Sequence, residues 1–335
     1  MPLPSSPPIT LSQIQSEFSA ANLQAASTAA GLDPLPTSML DFLGLSAYTM
    51  QTYTYLTPGT YYFTVPANKP DGLMNVLCIG AGGGGGGSIA GSGYNGEPGG
   101  FSAAAGGGGG GGALAAQISD LYPVVPGQTI TIIVGAGGAG SAGYDPESFG
   151  VYTGSPGDET SVDWNISGYN ADKVCRATGG RGGRNFNSKF RYSAPLTNGT
   201  GGDSGIATNF RSPGTLYAKP GGAGYAGNIA TDLGVDHVTG GGGGGAGSPA
   251  TGTFGQGGIG DNISLTGVSN LTYGAAGNGG AAYGGANPGD GANGANGANV
   301  GMGGGGGATY VFRSRSPAVT HFGGDGAQGG VQIYV

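Results

Sequence analysis

Residues 75–88, NVLCIGAGGGGGGS, set a short apolar run directly before Gly80-Ala81-Gly82-Gly83-Gly84-Gly85. That is the G-x-G-x-x-G spacing of a dinucleotide-binding turn, which works when a helix follows and holds the pyrophosphate at its N-terminus. Here the continuation is GGSIAGSGYNGEPGG, and each glycine costs a helix about 1 kcal/mol relative to alanine. The same spacing recurs at Gly135-Ala136-Gly137-Gly138-Ala139-Gly140, before the equally helix-breaking SAGYDPESFG. In a chain with 81 glycines the motif arises from composition, so no cofactor is expected from it. A P-loop fails because no lysine follows a glycine.

The remaining chemistry-bearing residues fall into three groups. Asp145, Glu147, Asp158, Glu159 and Asp163 cluster within one segment. Glycoside hydrolysis needs two carboxyl groups at a set separation in space, which spacing in an irregular segment does not define. These acids read as a solvated edge or an incidental cation site. His237 and His321 lack ligand-spaced partners, and Cys78 and Cys175 form no C-x-x-C. Neither a metal site, a disulfide framework nor an enzyme is expected, and Cys78 reads as a buried thiol. The third group is basic: residues 173–219 hold Lys173, Arg176, Arg181, Arg184, Lys189, Arg191, Arg211 and Lys219, eight of the eleven Lys and Arg. Phe186, Phe190, Tyr192, Phe210 and Tyr217 are interleaved with them. Such a segment suits stacking on sugars and pairing with phosphate or carboxylate groups of an anionic bacterial polysaccharide or lipopolysaccharide. The other reading is a structural loop whose arginines bond backbone carbonyls. Trp164, the only Trp, is either a buried anchor or a sugar-stacking platform.

The elements that must position these residues follow from composition and pattern. Only 9% of residues are charged and the net charge is −7, which argues against nucleic acid as a partner. The glycines lie in runs rather than at every third position, which excludes collagen. Seventeen Tyr and eleven Phe distinguish the chain from a flexible linker. No stretch of about twenty apolar residues suggests membrane insertion, and the N-terminus lacks the basic and apolar regions of a secretory signal.

Residues 1–50 are nearly free of Gly. Leu11, Ile14 and Phe18 follow Thr10 at helical spacing, and a second helix is expected over residues 37–44, with Ser38 as N-cap and Leu40 and Phe42 on it. These helices either cap the main domain or form an arm that docks on a partner. From residue 51 to 335 the chain reads as a glycine-rich domain. Its β framework spans residues 51–80, 128–134 and 331–335, with strands at residues 52–56, 61–65, 75–79, 128–134 and 331–335. Segments 144–164, 173–219, 229–237, 254–273 and 309–322 are expected to be loops.

The glycine runs at 82–87, 106–112, 240–245 and 303–307 recur irregularly in spacing but alike in kind. They suit polyglycine-II helices, which have three residues per turn and no internal hydrogen bonds, so neighbours can bond to one another. The triplets Gly291-Ala292-Asn293, Gly294-Ala295-Asn296 and Gly297-Ala298-Asn299 fit the same turn and are expected at the periphery. The fold class is therefore mainly β and irregular: a small β-sandwich-like framework with a bundle of polyglycine-II helices, preceded by a short α-helical arm.

The order GTYYFTVPANK, NVLCIGAGGGGGG, GGALAAQISDLYPVVPGQTITIIVGAGGAG and GGDGAQGGVQIYV resembles the glycine-rich domain of bacteriophage tail fibres and related virion proteins. Residues 9–18, ITLSQIQSEF, resemble the leader of small phage virion proteins. The resemblance implies stacked polyglycine-II helices whose end loops contact a host surface. It also implies a virion location after assembly in the host cytoplasm and a possible homotrimer, with other virion proteins as partners of the N-terminal arm. Two functional classes stay open, a tail fibre or fibre-tip adhesin and a purely structural decoration, head-fibre or connector protein. Arg184, Phe186, Lys189, Arg191, Tyr192, Arg211, Tyr217 and Trp164 are candidate receptor contacts, and Leu11, Ile14, Phe18, Leu40 and Phe42 candidate docking residues.

Overall fold

The computed structural model describes residues 10–20, 25–26, 51–67, 74–92, 101–104, 108–117, 125–141, 152–163, 173–185, 207–208, 217–219, 223–224, 228–232, 235–239, 243–244, 291–292, 296–297, 300–301, 303–304, 308–312 and 319–335. The described chain is mainly β, with one seven-residue helix, α1 (Leu11–Glu17), among the described residues. A reciprocal capping box starts α1: the Gln13 N–H donates to Thr10 Oγ1 at 3.2 Å and the Thr10 N–H donates to Gln13 Oε1 at 2.7 Å. The helix expected over residues 37–44 lies outside the described residues.

Two five-stranded antiparallel sheets form the framework. Their strands are β1 (Thr52–Tyr55), β2 (Gly59–Thr64), β3 (Asn75–Ile79), β4 (Leu114–Gln117), β5 (Thr129–Val134), β6 (Thr160–Asp163), β7 (Lys173–Ala177), β8 (Ala207–Thr208), β9 (Tyr217–Lys219) and β10 (Gly330–Tyr334). One sheet runs β1-β10-β3-β4-β9 and the other β8-β7-β6-β5-β2. The alternation of TITIIV in β5 turns Ile130, Ile132 and Val134 to one side, as a period of two requires. They join Phe63, Val65, Val162, Cys175 and Ala177 in an apolar cluster shared with Met74, Val76, Cys78, Val331, Ile333 and Val335 of the first sheet's side. The core therefore lies between the sheets.

Strands β1 and β2 are consecutive but do not pair: β1 pairs with β10 and β2 with β5. Ring contacts span the gap, Tyr53 to Phe63 at 4.9 Å and Tyr55 to Tyr61 at 5.1 Å between centroids. Aromatic packing closes this side, where backbone pairing is absent.

Several segments expected as loops carry strands. β6 falls within 144–164, and β7, β8 and β9 fall within 173–219. Asn228–Asp232 pairs with Val235–Thr239 as a hairpin across 229–237, and Ala308–Phe312 and Val319–His321 occupy much of 309–322. Their apolar signal is thin: among the described side chains, β6 and β7 contribute Val162, Cys175 and Ala177 to the core cluster, and the two strands pair with each other. The strand expected over 128–134 is Thr129–Val134, and that over 331–335 is Gly330–Tyr334.

Beyond the strand ends the described glycine tracts are neither helix nor strand, and in residues 80–85 the backbone bonds follow a strict order. In residues 80–85, the N–H groups of Gly80 and Gly83 donate to the carbonyls of Ala113 and Gly110. Those of Ala81 and Gly84 donate to Asp158 and Ser155, and those of Gly82 and Gly85 to Ala327 and Gly324. Donation thus rotates among three neighbouring segments and returns to the first after every third residue. The carbonyls work likewise: Ala81 and Gly84 accept from Gly180 and Gly183, Gly82 and Gly85 accept from Gly138 and Ser141, and Gly83 accepts from Gly304. This tract is buried and bonded on all sides to other tracts.

Such contact requires that no side chain intervene. A Cβ on Gly83 would lie inside 3.0 Å of the Arg181 carbonyl, and one on Gly80 would lie equally close to the Thr178 carbonyl. Ala81, between them, is fully buried with its methyl accommodated. Gly83→Ala is expected to destabilise the protein by about 3 kcal/mol, since rigid backbone must move, whereas Ala81→Gly costs about 1 kcal/mol through chain entropy. Urea denaturation of the two variants measures the contrast; equal losses would contradict it.

Candidate functional site

The tracts leave the framework from β3, β5 and β7 and reach chain reversals on their far side. Ser88–Ser92 pairs with Phe101–Ala104 directly after residues 80–87, and Arg184–Asn185 pairs with Tyr152–Thr153 after residues 178–183. Arg184 sits opposite Thr153, and both are exposed. Its base is firmly held: the Gly183 N–H donates to Gly84 at 2.8 Å, and the Gly183 carbonyl accepts from Gly154 at 2.9 Å. Arg184 is thus an exposed cation on a short ladder anchored by the tracts.

Among the described residues, the other cations of the 173–219 segment lie on other elements. Lys173 and Arg176 lie on β7 and Lys219 on β9, in different sheets, while Arg181 is exposed within a tract. Tyr217 is placed by backbone on the edge strand β9 opposite Ala116. Arg176 Nε donates to Glu159 Oε2 in a part-buried ion pair that links β7 to the segment before β6. Arg176 is therefore engaged by a side-chain carboxylate from a strand position, rather than by backbone carbonyls from a loop. Trp164, Phe186, Lys189, Arg191, Tyr192 and Arg211 lie outside the described residues, as do Phe190 and Phe210.

In the N-terminal group, Ile14 and Phe18 are buried and Leu11 is 43% exposed. Leu40 and Phe42 lie outside the described residues. Of the clustered acids, Asp158 is exposed, Glu159 is held by Arg176 and Asp163 ends β6 half-buried. Asp145 and Glu147 lie outside the described residues. No group of three or more His, Cys, Asp or Glu with metal-binding geometry occurs among the described residues.

The N–H groups that a G-x-G-x-x-G turn would offer to a phosphate are committed elsewhere. All six from Gly80 to Gly85 donate to protein carbonyls. The second such run begins differently from the first, because the Gly135 N–H donates to the buried hydroxyl Thr160 Oγ1 at 3.1 Å. A Cβ on Gly329 would also strike that hydroxyl, so Thr160 joins three segments at the boundary between framework and tracts. Asp325 performs a similar task at an exposed position: its Oδ1 accepts from the Gly140 N–H at 2.8 Å, and its own N–H donates to Asn296 Oδ1 at 2.9 Å. Neither residue stood out in the sequence, where each is one polar residue among many.

Among proteins of known family, the model described as a glycine-rich domain matches residues 56–335. No curated protein matches the chain.

Thr160→Val is expected to lower the unfolding free energy by about 1–3 kcal/mol, because the Gly135 N–H loses its acceptor in a buried setting. Arg184→Glu, at an exposed position with no described packing role, is expected to stay within about 0.5 kcal/mol of the parent. Paired denaturation curves check both, and a large loss for Arg184→Glu would mean that its side chain holds the fold together.

Proposed function

The chain belongs to the glycine-rich domain family, and from that premise we propose that it is a bacteriophage virion protein displaying a host-surface contact region on a bundle of polyglycine-II helices. The observation that carries this reading is the rotation of hydrogen bonds in residues 80–85 through three neighbours with a three-residue return. A polyglycine-II helix has three residues per turn and no internal hydrogen bonds, so its N–H groups point outward in that order. The bundle serves as a rigid spacer, and reversals at its far end are where recognition residues are best carried.

The contact is assigned to Arg184 together with Phe186, Lys189, Arg191, Tyr192 and Arg211, with an anionic polysaccharide or lipopolysaccharide as ligand. Guanidinium groups pair with phosphate or carboxylate in bidentate fashion, and the aromatic rings stack on sugar faces. The N-terminal segment, residues 1–50, attaches the protein to other virion components, with exposed Leu11 available to a partner. A second reading, a decoration or connector protein without a receptor, is favoured by one observation: Arg176 is used internally, in its pair with Glu159.

Purified protein is expected to bind host cell envelopes, and Arg184→Glu/Arg191→Glu/Arg211→Glu to weaken that binding at least about tenfold, since charged hydrogen bonds contribute about 1.5–3 kcal/mol each. Binding that is absent in the parent, or indifferent to charge reversal, supports the structural role instead. The helix type has its own readout. Circular dichroism is expected to show polyproline-II character lost in one cooperative melt, and a gradual featureless loss would reject the bundle.

A further inference from the structure

The two cysteines are 97 residues apart in sequence and were not expected to meet, yet both are buried in the same core cluster. Cys78 lies on β3 of one sheet and Cys175 on β7 of the other, and Cα atoms of these two strands approach within 8 Å. The Cys78 thiol donates to the Cys175 carbonyl at 3.8 Å, so the Cys78 sulfur lies against the backbone of the other cysteine.

The tracts explain why opposed sheets come so close here. Immediately beyond Cys78, Gly80 abuts the Thr178 carbonyl, and Ala113, whose carbonyl accepts from Gly80, donates to that same Thr178 carbonyl at 3.0 Å. The side-chain-free crossing draws β3 and β7 together at their glycine ends. A disulfide requires Cα atoms within about 7 Å and facing Cβ atoms, a condition that ordinary sheet packing at about 10 Å does not meet.

We propose that Cys78 and Cys175 form a reversible disulfide that bridges the two sheets and encloses the tracts 80–87, 108–113, 135–141 and 154–158 in a covalent loop. The oxidant is a low-molecular-weight disulfide such as oxidised glutathione. One cysteine thiolate attacks it, releasing one glutathione thiolate and leaving a mixed disulfide. The second cysteine thiolate then attacks the protein sulfur, forming Cys78–Cys175 and releasing the second glutathione. Two S–H bonds are lost and one S–S bond forms; the oxidant is reduced to two thiols, which carry away the protons. Burial, followed by the hydrogen bond to Cys175, raises the Cys78 thiol well above its usual range and keeps it protonated. Closure therefore proceeds when the chain opens transiently or while it folds.

The test uses the full chain, reduced and then refolded from urea with oxidised glutathione. The expected product is a monomer lighter by two hydrogens, with no free thiol and one linked peptide pair containing Cys78 and Cys175. It should melt several degrees above the reduced form, and dithiothreitol should reverse the shift. Cys78→Ala and Cys175→Ala should each keep one thiol and show no oxidant-dependent shift. Free thiols after refolding, cross-links only between chains, or a bridged form that melts lower would overturn the proposal. The parent chain alone decides the matter if a variant does not fold. Envelope binding is not part of the readout, so the outcome is independent of the proposed adhesive role.

Discussion

A segment of glycine can be buried only if every backbone N–H and C=O finds a partner, and in this protein the partners are other glycine segments. Ordering each residue costs about 1–2 kcal/mol of conformational entropy, while a hydrogen bond contributes a net 0.5–1.5 kcal/mol, roughly. Those magnitudes nearly cancel, so an isolated tract has no reason to order. Residues 80–85 escape that limit because they are bonded on all sides, to segments around 110, 138, 155, 180, 304 and 325. Removing one segment would strand the donors and acceptors of several others. The cost of leaving them unmade in a buried setting makes the assembly cooperative.

The sheets serve that requirement by setting the phase of the tracts. Ile79, Val134 and Ala177 end strands from which tracts depart, while Leu114, Thr160 and Gly330 begin strands that tracts enter. Each tract therefore starts at a height fixed by strand register, such as Ile79 opposite Leu114 and Gly330. Alanines occur where a methyl group helps: Ala113 and Ala177 belong to the core cluster. Gly83 and Gly80 face carbonyl groups that exclude any such methyl. The boundary is where polar side chains also enter, with Thr160 capping Gly135.

Much of this was legible in particular residues. The apolar run Asn75–Ile79 and the alternation in TITIIV announced strands, and Thr10 ahead of Leu11, Ile14 and Phe18 announced a helix. The strands β6 and β7 were not legible, because their inward positions are few and Arg176, Glu159 and Lys173 gave the stretch the look of a solvated loop. The same charges suggested a single basic surface. Of its described members, Lys173 and Arg176 lie on β7, Lys219 on β9, Arg181 in a tract and Arg184 on the ladder beyond the tracts.

By itself the sequence determined the material: glycine runs too long for loops, too irregular for collagen, and flanked by enough aromatic and β-branched residues to build a core. Tertiary structure decided which run lies beside which, and so brought residues 80–85 against segments from both halves of the chain and Cys78 against Cys175. The physical reason is that partner choice is ordinarily encoded in side chains. Glycine has none, and its backbone bonds equally well to any neighbour. The choice therefore passes to the strand order of the two sheets, which rests on non-local pairings between segments as distant as β1 and β10.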